Sequence, residues 1–194
     1  MADVQQTATT IIREPLIARI DRGIYRFARH WLMTVNLIAL FLAAVPILTP
    51  YLAAQGYSTF SNAFHAFFGL ICHQIPGHSF HLHGEQVALC QRCVAMYVAS
   101  FLAGIAYIFI RDRLPPIGFR GLALLAAPMA IDGLTQLFGL RESTWELRVI
   151  TGSLFATGVM WFALPRLETG FAEIRDVVEQ RFRKLVRQGK TNPL

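Results

Sequence analysis

Residues 31–54, from Trp31 to Ala54, read WLMTVNLIALFLAAVPILTPYLAA, and no charged side chain interrupts them. A hydrocarbon core about 30 Å thick takes roughly 17–25 helical residues to cross, so this stretch predicts a membrane-spanning helix. Working outward, three more apolar blocks follow: Val94 to Ile110, Gly121 to Leu140, and Leu147 to Leu164. The second can be extended back through Val87, Ala88 and Leu89. Buried helices of a soluble bundle carry a broad polar stripe, which these blocks lack. Over 194 residues, 54% hydrophobic and 15% charged composition leaves too little polar surface for a soluble domain. The expected fold is an all-α, polytopic membrane bundle of about four transmembrane helices. Its membrane domain is residues 31–165, flanked by an N-terminal segment, 1–30, and a basic tail, 166–194. The first span is expected to be retained, because it is too long for a signal-peptide core and the thirty residues before it are polar and Arg-rich.

Orientation is read from Lys and Arg, which short flanking segments keep on the cytoplasmic side. Arg13, Arg19, Arg22, Arg26 and Arg29 precede the first span. Arg111, Arg113 and Arg120 lie between the second and third, and Arg166, Arg175, Arg181, Arg183, Lys184, Arg187 and Lys190 fill the tail. The two remaining connections hold only Arg92, Arg141 and Arg148. The alternation predicts a plasma-membrane protein with both termini cytoplasmic and a long outer loop at residues 55–93. Lipid is then the expected partner, and the net charge of +6 requires no nucleic acid.

Both ends predict amphipathic helices along the inner leaflet, from Leu16, Ile17, Ile20, Ile24 and Phe27 and from Phe171, Ile174, Val178, Phe182 and Leu185. The tails before Arg13 and after Gly189 are expected to be disordered. In the outer loop, Phe60, Phe64, Phe67, Phe68 and Ile71 recur at helical spacing over a segment too short to span, which predicts an interfacial helix. Pro76 and Gly77 end it and open a polar loop.

Chemistry is concentrated between Cys72 and Cys93. Cys72-His73 precedes Cys90-Gln91-Arg92-Cys93, a C-x-x-C at the mouth of the second span, where the helix dipole and Arg92 favour thiolate. Three thiolates with His73 offer the four tetrahedral ligands of zinc, with His78, His81 or His83 as alternative nitrogen donors. An odd cysteine count on an oxidising face also suits thiol–disulfide exchange, and simple burial of the thiols is a third possibility. Within the third span, Asp132 and Gln136 share a helix face. A charge at that depth needs a partner, and Arg148, at the outer start of the fourth span, or Thr151 is the expected one.

Several ordered motifs stand together: Cys72-His73-Gln74-x-Pro76, Ser79-Phe80, Cys90-x-Arg92-Cys93 with Tyr97, Ile131-Asp132-Gly133-x-x-Gln136, Arg141-Glu142-Ser143 and Leu147-Arg148-x-x-Thr151-Gly152. Over residues 64–160 the chain resembles the predicted membrane proteins of domain of unknown function 2085. The resemblance implies a membrane architecture and singles out these polar residues, but implies no activity. Three functions are open at this point. The first is a non-catalytic membrane protein binding zinc at Cys72, His73, Cys90 and Cys93, supported by Arg92, Asp132, Gln136 and Arg148. The second is a thiol–disulfide oxidoreductase coupled to a membrane quinone, by analogy with bacterial four-span disulfide oxidases. The third is a small-solute or ion transporter built around Asp132.

Overall fold

The structure, a computed structural model, describes residues 16–189. Arg13, Lys190 and the tails expected to be disordered lie outside the described residues. Along the chain run α1 (Leu16–Ala54), α2 (Ser58–Gly69), a 3-10 turn (Pro76–His78), β1 (Ser79–Leu82), β2 (Glu85–Cys90), α3 (Gln91–Ile110), α4 (Phe119–Leu137) and α5 (Trp145–Arg187). Three helices, α1, α3 and α5, are long and apolar enough to cross a membrane. The third expected span coincides with α4, 19 residues long, which carries Arg120, Asp132 and Gln136 and is not among those three. Large apolar side chains such as Leu37, Ile38, Leu102, Phe109, Ile131 and Ile150 are exposed, a surface suited to lipid and not to water.

The chain divides into two compact units, residues 32–167 and a second unit whose described parts are 16–31 and 168–189. In the larger unit, Pro46 and Pro50 both lie inside α1. Proline has no N–H, so Pro50 leaves the carbonyl of Pro46, four residues back, without its helical donor. The buried Thr49 hydroxyl donates to that carbonyl at 2.6 Å. The Thr49 carbonyl in turn accepts from Ser61 Oγ of α2 at 3.1 Å, and its hydroxyl oxygen accepts from Ala88 N of β2 at 3.3 Å. The proline break in α1 thus becomes the anchor for the outer loop. Close helix contacts rest on glycine: a Cβ at Gly104 would overlap the Asn36 carboxamide, and one at Gly152 would lie 2.9 Å from the Arg92 carbonyl oxygen.

Two expectations are corrected in the outer loop. The segment after Gly77 is not a polar loop but an antiparallel hairpin, and Val87, Ala88 and Leu89 belong to its second strand instead of extending α3. The connecting residues His83 and Gly84 have φ of +55° and +81°, the pair of left-handed conformations a two-residue hairpin turn needs. The run Val87 to Leu89 is buried against Phe68 and Val94. Its apolarity, which made it look like a piece of the next helix, reflects a strand covered on both faces. The predicted short helix is α2, with Phe68 fully buried and Phe60 and Phe67 exposed.

In the smaller unit the tail stripe packs against the first part of α1. Val178 and Phe182 pack on Ala18, Phe171 stacks on Trp31 at 5.2 Å, and Arg181 pairs with the buried Asp21 at 3.0 Å. The helix faces available to one another are more favourably buried together than solvated separately. On α1 the packed positions are Ala18, Asp21, Tyr25 and Ala28, while the expected stripe of Leu16, Ile17, Ile20, Ile24 and Phe27 stays on the exposed side. Neither terminal helix is a separate element, since α1 and α5 run on into the spans beside them.

Candidate functional site

Cys72 follows α2, Cys90 ends β2, and Cys93 lies in the first turn of α3. The hairpin closes the sequence gap, because Ser79 pairs with Cys90 and the 3-10 turn before Ser79 leads back toward Cys72. The three Sγ atoms lie within 4.8 Å of one another. All three cysteines are free thiols, with Cys72 the most buried. The cysteines belong to the same apolar cluster as Phe64, Phe80, Val94 and Val98.

Backbone donors converge on one sulfur. Cys72 Sγ accepts from Cys90 N at 3.3 Å and from Gln74 N at 3.5 Å. Hydrogen bonds from the Cys90 and Cys93 thiols hold the Cys72 thiol far below its ordinary pKa, against the opposing effect of burial. The Cys90 thiol is pushed up, chiefly because its S–H donates a hydrogen bond to Cys72. The two backbone N–H donors make Cys72 the sulfur best placed to carry the cluster's first negative charge.

Gln74 sets this geometry. Its φ of +49° is left-handed, a conformation that costs a non-glycine residue free energy and must be held by its surroundings. Its Nε2 donates to the carbonyls of His65 and Ala88, each at 2.8 Å, and its own carbonyl accepts from Gln86 Nε2 at 2.7 Å. These bonds tie α2 to β2 and turn the Gln74 N–H toward the Cys72 sulfur.

Beside the thiols is a buried charge network. Asp132 of α4 is 1% exposed. Its carboxylate accepts from Arg92 at 2.5 Å, from Arg141 at 2.7 Å and from the Ser143 hydroxyl at 2.8 Å. The expected pairing of Asp132 with Arg148 or Thr151 is not formed. Arg148 Nη1 instead donates to Gln91 Oε1 at 2.9 Å, and Thr151 Oγ1 donates to the Leu147 carbonyl. Gln91 and Arg92 are successive on α3 and so point about 100° apart around it; one is matched to α5 and the other to α4. Gln136 does join the site, its amide donating to His78 Nε2 at 3.3 Å. Burial, then the positive charges of Arg148 and Arg92, keep His78 below its ordinary pKa, opposed by Glu142.

Of the four expected ligands, the structure gathers Cys72, Cys90 and Cys93. His73 is exposed and stands outside the sulfur group, though it lines the same cavity of about 530 Å³, together with His78, Arg92 and Gln136. His81 and His83 lie on the hairpin away from that cavity. Thr49, Gln74, Gln91, Arg141 and Ser143 are structural partners that spacing alone did not assign. For Gln74, Arg141 and Ser143 the only signal was their place inside the ordered motifs; Thr49 sits between two helix prolines, which is a readable cue.

Comparison with known proteins places these residues in a wider set. Residues 72–162 match the profile of a family described as predicted membrane protein, DUF2085. An uncharacterised protein of Methanocaldococcus jannaschii is 36% identical over 146 residues, 71% of this chain and 92% of the relative. An uncharacterised protein of Methanothermobacter thermautotrophicus is 36% identical over 90 residues, 44% of this chain and 77% of the relative. No solved structure matches.

Proposed function

The chain belongs to the DUF2085 family of predicted membrane proteins, and on that premise we propose that it is a multi-pass membrane protein whose Cys72, Cys90 and Cys93 bind a metal ion, zinc by preference. The observation that carries this reading is the approach of three sulfurs to within 4.8 Å of one another. A tetrahedral zinc with Zn–S bonds near 2.3 Å holds its sulfurs about 3.8 Å apart, so small side-chain movements suffice. The donor set is soft and suits zinc better than a hard cation. Three thiolates around a divalent cation carry one net negative charge, which the guanidinium of Arg92 at the cavity wall complements. Asp132 holds that guanidinium in place and is itself fixed by Arg141 and Ser143, as Gln91 holds Arg148; Gln136 orients His78. The role is structural or sensory, and no catalytic step is assigned.

The same reading sets the protein in the plasma membrane with both termini cytoplasmic and the thiols outside. Four crossings require α4 to span, and its Asp132 is then neutralised at depth by Arg92 and Arg141, as a buried membrane charge must be. Alkaline phosphatase, active only after export, is expected to be active when fused after Glu142 and inactive when fused after Arg113.

Metal content of the purified protein, with thiols counted after chelation under denaturing conditions, tests the site. Zinc is expected at one per chain, and Cys72→Ser, Cys90→Ser and Cys93→Ser should each lose it and lower the melting temperature alike. A thiol–disulfide oxidoreductase coupled to a quinone predicts otherwise: Cys90 and Cys93 act as a pair, Cys72→Ser differs from both, and the fold survives each change. That unequal pattern with unchanged metal content rejects the zinc assignment.

A further inference from the structure

Zinc bound by proteins takes four ligands at structural sites and leaves one position open where it exchanges ligands. Among the described residues the donor group here consists of three thiols. All three cysteines line one side of the cavity of about 530 Å³, and Arg92 stands on its wall. The rest of that wall is largely apolar, including Ile71, Ile75, Met96 and Met129.

A second cleft of about 410 Å³ adjoins it, sharing Arg92, Met129 and Gly133 and continuing past Ala126, Ala130, Leu134 and Phe155. Small residues keep the passage open: a Cβ at Gly133 would meet only Arg92 Nη1, at 3.7 Å. Ala130 and Leu134 are exposed on α4, so the cleft opens on the apolar side of the bundle. Arg92 stands at the junction and lines both spaces, its guanidinium paired with the buried Asp132. A cavity with the thiols and an arginine at one end and an apolar extension between helices has the composition of a small-molecule site.

We infer that the fourth coordination position is filled from the cavity by an exogenous anion with an apolar tail, its donor atom between the metal and Arg92 and its tail along Met129 and Gly133 into the α4 cleft. This rests on the metal reading above. The ligand class is a short- or medium-chain carboxylate or thiolate reaching the site from the bilayer.

Cobalt substituted for zinc reports its ligands through its visible absorption bands. The full-length protein, loaded with cobalt in phosphatidylcholine nanodiscs, is titrated with octanoate and with acetate. Octanoate is expected to shift the bands at a concentration about tenfold lower than acetate, through burial of its tail. Ala130→Phe, which fills the cleft away from the metal, should bring octanoate to the acetate value, whereas mere partitioning of octanoate into lipid would survive this change. Cobalt bands unmoved by either anion but altered by His73→Ala or His78→Ala overturn the inference, since the protein then supplies its own fourth ligand. Equal response to both anions overturns the apolar tail. Failure to take up cobalt at all is a different result: it rejects the metal site itself.

Discussion

Arg148 and Gln91 form a buried cation–amide pair, Nη1 to Oε1 at 2.9 Å, joining the start of α5 to the first residue of α3. Gln91 passes the contact on through Nε2 to the Ser79 carbonyl at 3.4 Å. The chain thus links α5, α3 and the hairpin strand that lies between Cys72 and Cys90.

A double-mutant cycle on Arg148→Met and Gln91→Met should show coupling of about 1.5–3 kcal/mol, the usual worth of a hydrogen bond to a charged group. The corresponding cycle between Arg148 and Asp132 should give little coupling. Reversible unfolding in detergent measures both, and strong coupling of Arg148 to Asp132 would contradict the geometry.

Asp132→Ala removes the acceptor of two guanidiniums and a hydroxyl. The loss should be about 3–5 kcal/mol, because Arg92, its side chain only 20% exposed, is left without its carboxylate. Arg141→Ala should cost less, since the Arg141 side chain is 39% exposed and water can replace its role. A melt in which Arg141→Ala is the more damaging would show that Arg141, not Arg92, is the principal partner.

Gln74→Ala deletes both amide donations that fasten α2 to β2. Stability should fall by about 2 kcal/mol, near 1 kcal/mol for each hydrogen bond, and metal retention should fall with it because Cys72 is no longer aligned. Gly69→Ala should have a weaker effect of the same kind, since its Cβ would press on Gln74 Oε1 at 3.2 Å. Unchanged metal content in Gln74→Ala would remove Gln74 from the site.

His78 supplies a pH dependence. Its pKa is lowered on folding by burial and by Arg148 and Arg92, partly offset by Glu142, and Gln136 donates to its unprotonated Nε2. The unfolded chain therefore binds a proton first as pH falls. Stability contributed by neutral His78 is present above the ordinary histidine value, about 6.5, and is lost as pH drops through it, levelling off below the folded pKa. Melting temperatures of the wild type and His78→Gln, followed from about pH 8 to pH 5, should converge toward the acid end. Parallel curves would show that His78 is not protonated differently in the two states.

The membrane class was legible because Trp31–Ala54 and its counterparts satisfy a length rule that needs no tertiary information. The three cysteines were legible as a group from the C-x-x-C spacing and chain proximity of Cys72. The partner of Asp132 was not. Arg92, Arg141 and Arg148 are equally plausible by charge, and the choice depends on which way successive residues of α3 point. The hairpin was hidden for another reason: Val87–Leu89 is apolar like the helix it precedes, and a buried strand has no alternation to distinguish it. His73 adjoins Cys72 and so reads in the sequence as a fourth ligand, but its ring is not part of the sulfur group.

The positions of the thiols in the chain also bear on biogenesis. Cys72 and Cys90 are separated by 18 residues, whereas Arg92 and Asp132 are separated by 40. Short loops close with little entropic cost, and a growing chain can form contacts only among residues already made. The sulfur cluster can therefore assemble as soon as the hairpin and the head of α3 have cleared the insertion machinery, before α4 exists. The carboxylate of Asp132 arrives afterwards and locks Arg92 against a cluster already formed, so a nascent chain stalled before α4 should already be able to capture metal.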